Sequence, residues 1–331
     1  VDQALLRQRL AVMAEMAGLA RFLVIGRGKS GTTWLARIFR SHPEVFLRGE
    51  RKLVEKTGGY TPILRHLLDG PIMAAWGEHS SFRLGLEPGR MGPELWRLVD
   101  DYLVAATLLA NHIDVAALTH LGDKVALLHP EDAAAILPGL GQAHPGYRAI
   151  HIVRDGRDVA VSGLFHVYRN RVVKGGETEG IIKTKVERVL EGGSKRLFTD
   201  PHLEARARSW SEVTVAIDDQ LRSRLGERYL MLRYEDLLAD TRGSIEKAFD
   251  FVGVAHSPQL LDEIIERTSF KKMSGGRQAG EQDVGSGRRK GQAGDWVNYF
   301  TPRDRALFSA AAQPALERFG YEPDASWVEA G

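Results

Sequence analysis

Residues 21–40, RFLVIGRGKSGTTWLARIFR, constrain this chain more than any other stretch. Phe22 to Ile25 is a short, branched apolar run, which predicts a buried strand. Gly26-Arg27-Gly28-Lys29-Ser30-Gly31 then places three glycines in six residues, so the backbone can turn sharply and approach a ligand. From Thr32 to Phe39 the spacing is helical, with Leu35, Ile38 and Phe39 on one face. A strand, a glycine turn and a helix N-terminus together make a phosphate site, through backbone amides, the positive helix end and a lysine. Ordinary tight turns rarely carry Lys-Ser and Thr-Thr together at the helix start. The stretch predicts an anion site.

A loop for ATP or GTP of the GxxxxGK[ST] type needs a glycine five residues before the last one. Here Gly28-Lys29-Ser30 supplies the end, but the first glycine falls on Leu23, inside the strand. The loop is too short for that cradle. The string GKSGTTW instead resembles the 5′-phosphosulfate loop of sulfotransferases, which use 3′-phosphoadenosine 5′-phosphosulfate (PAPS). The resemblance implies that Lys29 holds the bridging oxygen and that Ser30 regulates this contact. It also implies that the amides of Gly31, Thr32 and Thr33 cradle the 5′-phosphate, with Trp34 beside them in the donor site.

The length of 331 residues, 43% hydrophobic and 27% charged, suits a globular chain that buries a large core. A net charge of +2 supplies no global field for nucleic acid. The absence of cysteine excludes disulfides, thiolate metal sites and cysteine nucleophiles. No stretch reaches transmembrane length. Residues 1–20 read as an amphipathic helix, with Arg7, Arg9 and Glu15 interrupting the apolar residues, and a cytoplasmic protein is expected.

Val45-Phe46-Leu47 predicts a second strand, with Glu50 just beyond it, where ligands of open α/β sheets sit. HPEVFLRGE is similar to a segment of tyrosylprotein sulfotransferases whose glutamate is the catalytic base, which implies that role for Glu50. A surface pair of Glu50 with Arg51 or Lys52 is the plainer alternative. Asp123-Lys124 resembles the (N/D)K step of tyrosylprotein and bacterial sulfotransferases, so Lys124 would face the transferred group. Leu128-His129-Pro130 lies near the KTHLP position of cytosolic sulfotransferases, without its threonine and lysine. That makes His129 the substitute base, ranked below Glu50.

Tyr147 to Val153 alternates as a strand and ends in VRDGRDVAVS. This string resembles the 3′-phosphate motif of PAPS enzymes, implying that Arg154 and Ser162 contact that phosphate. A guanidinium fork suits phosphate. Arg157 is expected to pair with Asp158 or another acid nearby. Tyr229 to Leu232 reads as another buried strand, Tyr234 and Glu235 as structural residues, and Ile245 to Val252 as an amphipathic helix. Where cytosolic sulfotransferases carry an adenine-side tyrosine, this chain has Ala207. TSFKKM, from Thr268 to Met273, is similar to the segment whose threonine and phenylalanine border the adenine, implicating Thr268 and Phe270. Residues 274–287 hold five glycines and predict a mobile lid. Arg288-Arg289-Lys290-Gly291 through Trp296 resembles RKGxxGDW, the second 3′-phosphate clamp, so Arg289, Lys290 and Gly291 join the donor site. Pro302 to Tyr321 predicts a closing helix.

The resemblance thus spans Arg21 to Tyr321. It implies one α/β domain over residues 1–331, with a mostly parallel central sheet flanked by helices and a P-loop-like nucleotide site. Segments 60–118, read as helical but broken by Pro62, Pro71, Pro88 and Pro93, and 166–205 would face the acceptor. The implied reaction is sulfuryl transfer from PAPS, without a metal, to a hydroxyl or amine of a small-molecule, lipid or glycan acceptor. Dimerisation with a second copy stays open. The rival readings are a P-loop-type kinase and a nucleotide-binding module without catalysis.

Overall fold

The apolar run of residues 22–25 becomes the centre of a sheet. A computed structural model of the chain describes residues 3–50, 88–170, 180–194 and 196–329. Strand β1 (Ala20–Arg27) pairs on one side with β3 (His120–Leu127), from Ala20↔His120 to Arg27↔Leu127. On its other side it pairs with β4 (Arg148–Val153). The outer strands β2 (Val45–Glu50) and β5 (Tyr229–Arg233) complete the order β2-β3-β1-β4-β5, with every pair parallel. Parallel sheets are covered on both faces, so their central strands are apolar on both.

Alternation along β1 divides its side chains between two cores. Phe22 and Val24 pack against Leu35, Ile38 and Phe39 of α2 (Thr32–Arg40) and Ile245 and Phe249 of α9 (Thr241–Val252). Leu23 and Ile25 pack with Val125 and Leu127 against Val213, Ile217 and Leu221 of α7 (Asp200–Leu225). Beyond α7, the helices α5 (Gly156–Tyr168) and α12 (Pro302–Arg318) close a third core around Phe165, Trp210 and Phe308. At the amino end, Met16 of α1 (Gln3–Met16) packs with Val104 and Leu108 of α3 (Pro88–Ala110).

The remaining helices are α4 (Pro130–Ala143), α6 (Gly180–Leu190), α8 (Tyr234–Ala239), α10 (Pro258–Thr268) and α11 (Phe270–Met273). Two expectations need correction. Pro88 opens α3 rather than breaking a helix, because a first-turn residue has no amide to lose, and α3 continues past Pro93. Arg48, Gly49 and Glu50 belong to β2 rather than following it. Of the expected acceptor-side segments, 60–87 and 171–179 lie outside the described residues. No helix among the described residues is long and apolar enough to cross a membrane.

The connection from β1 leads outward to β2, whereas β4 is added on the opposite side of β1. Such a reversal leaves a crevice outside the carboxyl ends of the central strands, the usual ligand position in open α/β sheets. Lys29 and Arg154 follow the carboxyl ends of β1 and β4, while Lys124 lies within β3.

Candidate active site

The turn from β1 into α2 closes with the Ser30 amide donating to the Arg27 carbonyl at 3.1 Å. Lys29 adopts φ 77°, a left-handed conformation uncommon for a residue with a side chain, and Gly31 follows at φ 99°. A Cβ on Gly31 would stand 2.6 Å from the ring of Tyr234, the first residue of α8, so glycine is required twice over. Gly31 is the N-cap of α2, and no side chain caps this helix. Its carbonyl accepts the amides of Trp34 and Leu35 at 2.9 and 3.2 Å, whereas the amides of Thr32 and Thr33 make no bond among the described residues. They face the crevice with the positive end of the helix dipole.

Cations gather opposite this helix end. Burial pushes Lys29 down to about 8, reinforced by Arg169, Arg154, Lys124 and Arg289 in that order. Lys124 is buried and donates to the Thr33 hydroxyl at 3.0 Å. Its neighbour Asp123 accepts from Arg48 of β2 at 2.9 and 3.1 Å. Strand alternation therefore sends Asp123 into the scaffold and Lys124 into the site. Arg48 also pairs with Asp100 at 3.3 Å, and Arg21 pairs with Asp101 at 2.8 Å. His144 joins them 3.6 Å from Asp100, and burial pushes it down to about 4. Asp100, Asp101 and His144 offer ligand atoms within 4.8 Å of one another, but both carboxylates are engaged by arginines.

Of the two expected bases, Glu50 ends β2, its backbone paired with Lys124 after a register shift. Its side chain lies outside the described residues. His129 is exposed at the turn into α4, where its carbonyl accepts the Asp132 amide at 3.2 Å.

At the end of β4, the Arg154 carbonyl accepts from the Trp210 indole at 3.0 Å. The guanidinium lies 4.5 Å over the Tyr234 ring and donates to Asp158 at 3.2 Å and to the Gln292 carbonyl at 3.0 Å. Its Nε is buried with no partner among the described residues. Ser162 is half-buried two turns into α5. Arg157 pairs with Asp155 at 2.7 Å and Glu322 at 2.5 Å, between the rings of Trp296 and Trp327 at 4.0 and 4.5 Å. As expected it pairs with nearby acids, and these are Asp155 and Glu322 rather than Asp158. That carboxylate, pushed up by burial and held back chiefly by Arg154, accepts the amides of Gly294 and Trp296 at 2.8 and 2.9 Å.

The second basic motif is thereby drawn against the first. Arg289 pairs with buried Asp295, donates to Gln282 at 3.1 Å, and lies 4.5 Å over the Phe165 ring of α5. Lys290 reaches the other Asp295 oxygen at 2.5 Å. Burial pushes Asp295 up, but hydrogen bonds from Lys290 and Arg289 bring it below the usual carboxylate range. Gly291 has φ 63°, and the Phe270 ring occupies the space a side chain there would need. Thr268 supplies a carbonyl to the Trp34 indole at 3.0 Å, while its hydroxyl donates back to Ile264 at 2.7 Å. Residues 274–287 fold back onto the basic run: Gly280 donates to Lys290 and Asp283 to Arg289, at 2.8 and 2.9 Å.

The structure thus brings Lys29, Lys124, Arg154 and Arg289 together, with Trp34, Thr268 and Phe270 to one side. Ala207 is fully buried in the core of α7 and takes no part. Tyr234 and Asp158, which hold the Arg154 guanidinium, were not expected beside the candidate site, and only the RYEDL string carried any signal for the first of them. A cavity of about 610 Å³ at the far end of α2 is lined by His42, Pro43 and Val45 to Leu47 of the HPEVFLRGE segment, with Arg40 and Arg267, but by none of the expected donor-site residues or bases.

The sulfotransferase-domain family model matches residues 138–320. Sulfotransferase 2A1 of Mus musculus is 32% identical over 180 residues, covering 52% of this chain and 57% of the relative. The 3-alpha-hydroxysteroid sulfotransferase of Cavia porcellus is 29% identical over 191 residues, covering 55% and 60%. The chain therefore matches little more than half the length of these relatives. Among solved structures, mouse sulfotransferase SULT7A1 complexed with adenosine 3′,5′-bisphosphate (PAP) shares the fold at a TM-score of 0.51 and 18% identity, over 94% of this chain and 88% of that one.

Proposed function

The chain belongs to the sulfotransferase-domain family, and from that premise we propose that it moves the sulfuryl group of PAPS to a hydroxyl or amine of a small-molecule, lipid or glycan acceptor. The observation that carries this reading is the convergence of Lys29, Arg154, Lys124 and Arg289 on the uncapped N-terminus of α2. PAPS has two anionic ends, and two sets of cations are available. Lys29, Lys124 and the α2 amides suit the phosphosulfate, while Arg154, Ser162, Arg289 and Lys290 suit the 3′-phosphate. Trp34 and Phe270 would flank the adenine. The buried Arg154 Nε supports the assignment, since a further acceptor satisfies it.

In this reaction the acceptor oxygen or nitrogen attacks sulfur in line. The bond from sulfur to the bridging oxygen breaks, and PAP leaves with the electron pair. The protein's part is to position the reactants and neutralise charge. The Lys29 ammonium would neutralise the bridging oxygen, and Lys124 the sulfuryl oxygens. Glu50 is the first choice for the base that takes the acceptor proton, and His129 the second. A hydroxylated small molecule agrees with the name of the guinea-pig relative, a hydroxysteroid sulfotransferase.

Calorimetry with PAP and with ATP, followed by turnover with labelled PAPS, tests the proposal. PAP should bind at least tenfold more tightly than ATP, and label should pass to an acceptor from a hydroxyl-compound screen. Tighter binding of ATP would favour the kinase. PAP binding with no transfer across the screen would favour a module without catalysis.

A further inference from the structure

Gly320, at φ 70°, ends α12 and turns the chain back. The Tyr321 amide donates to the Leu316 carbonyl at 2.8 Å and the Gly320 amide to Glu317 at 3.0 Å. Residues 321–328 then belong to none of the motifs, yet their side chains run to the back of both arginine motifs. The Tyr321 hydroxyl donates to Glu235 at 2.9 Å, and the other Glu235 oxygen accepts the amide of Asp155, next to Arg154, at 3.1 Å. Glu322 pairs with Arg157 at 2.5 Å. Trp327 is presented by a short turn over Ala325–Val328 that Asp324 caps, and its indole donates to Gln313 of α12 at 2.9 Å. Its buried ring lies 4.5 Å from the Arg157 guanidinium, which is 4.0 Å from the Trp296 ring. The two indoles meet edge to face, their centroids 5.6 Å apart.

Trp296 is the handle on which this segment acts. Its amide and that of Gly294 bond to Asp158, which holds Arg154. Asp295, between them, holds Arg289 and Lys290. One short turn of chain therefore sets three of the cations read above as 3′-phosphate ligands, while its indole is gripped from behind by Arg157 and Trp327. The turn that carries Lys29 is closed by its own backbone bonds between β1 and α2.

We propose that residues 321–328 form a strap that positions the 3′-phosphate clamp, with Trp327 and Glu322 as positioning residues acting through Arg157 and Trp296. The inference rests on reading the crevice as a PAPS site. Loosening the strap frees the Gly294–Trp296 turn from Asp158, so that Arg154, Arg289 and Lys290 no longer converge. The preference for a 3′-phosphate then falls, while the contacts at the 5′ end stay.

Calorimetry with PAP and with adenosine 5′-phosphate, which lacks the 3′-phosphate, provides the test on wild type, Trp327→Ala, Trp327→Phe and Glu322→Gln. Trp327→Ala should weaken PAP about tenfold or more and adenosine 5′-phosphate less than about threefold. Trp327→Phe, which keeps a ring against Arg157, should retain most of the preference for PAP. A residue that only supports the fold would lower the melting temperature and weaken both ligands equally. If Trp327→Ala fails to fold, Glu322→Gln, which leaves both indoles in place and loosens Arg157, decides by the same ratio, expected to fall about threefold. An unchanged ratio in the variant that folds overturns the inference. A wild type with no preference for PAP is a separate result: it removes the PAPS reading itself, and this inference with it.

Discussion

Asp158 accepts a 2.9 Å hydrogen bond from the amide of Trp296, 138 residues later in the chain. With the matching bond from Gly294 and the contact to Arg154, this carboxylate ties both arginine motifs into one unit. Asp158→Asn keeps the shape but replaces a charged acceptor by an amide whose NH2 opposes a backbone N–H. The loss should be on the scale of one charge-assisted bond, about 1.5–3 kcal/mol. PAP affinity should fall about tenfold or more, measured by calorimetry on variant protein shown to be folded by circular dichroism. Unchanged affinity would mean that the two motifs hold their places without it.

The Lys29 ammonium carries a pH signature. Its value is lowered to about 8 by burial and by the neighbouring cations, so the free protein loses this charge as pH rises through 8. The sign follows from linkage: an anionic ligand favours the protonated lysine, so binding takes up protons, and affinity declines above pH 8. For stability, a lysine lowered on folding contributes above its unfolded value near 10.5, and that contribution is lost as pH falls through 8. PAP affinity should therefore drop between pH 7.5 and 9.5 by about tenfold. Lys29→Arg should flatten the profile. A wild-type profile already flat over this interval would contradict the assignment.

Glu50→Gln and His129→Asn separate the two candidate bases. Glu50 ends a strand whose backbone pairs with Lys124, whereas His129 is exposed on the turn into α4. Glu50→Gln should retain PAP binding and lose turnover by about 100-fold or more. His129→Asn should keep most of its activity. The reverse ranking, with donor binding intact in both variants, would move the base to His129.

Residues 274–287 are tied to Arg288, Arg289 and Lys290 by the Gly280 and Asp283 amides and by the Arg277 guanidinium. Ligand that fixes Arg289 and Lys290 should therefore also fix the loop. Limited proteolysis at Arg277 should slow by about fivefold or more with saturating PAP, as expected for a segment cleaved only from its open form. Equal cleavage rates with and without PAP would argue against a lid.

Local rules made β1, the Gly28–Gly31 turn and α2 legible before any coordinates. Apolar periodicity, glycine at a left-handed position and the amides of a helix start all act over a few residues. The same holds for β4, β5, α9 and α12. β3 escaped assignment as a strand because His120, Gly122, Asp123 and Lys124 break its apolar run. In the sheet those polar residues are accounted for by distant partners: His120 reaches the Val252 carbonyl, Asp123 reaches Arg48 and Lys124 reaches Thr33. Pro88 was misread because its cost depends on where in the helix it falls, and that depends on where the helix begins.

The amino-acid sequence by itself determined the strand–glycine turn–helix unit at residues 21–40 and the order of the basic motifs, because each is written in neighbouring residues, and the resemblance these motifs carry implied the parallel α/β architecture. Which cation faces which was decided only by tertiary structure. Arg157 and Asp158 are adjacent and oppositely charged, yet Arg157 turns to Asp155 and Glu322 while Asp158 turns to Arg154 and two distant amides. Tyr234 comes under Arg154 through the parallel sheet order, which sets the end of β4 beside the end of β5. Charge attraction falls with distance in space and is strengthened by burial, and neither quantity exists until the chain has folded.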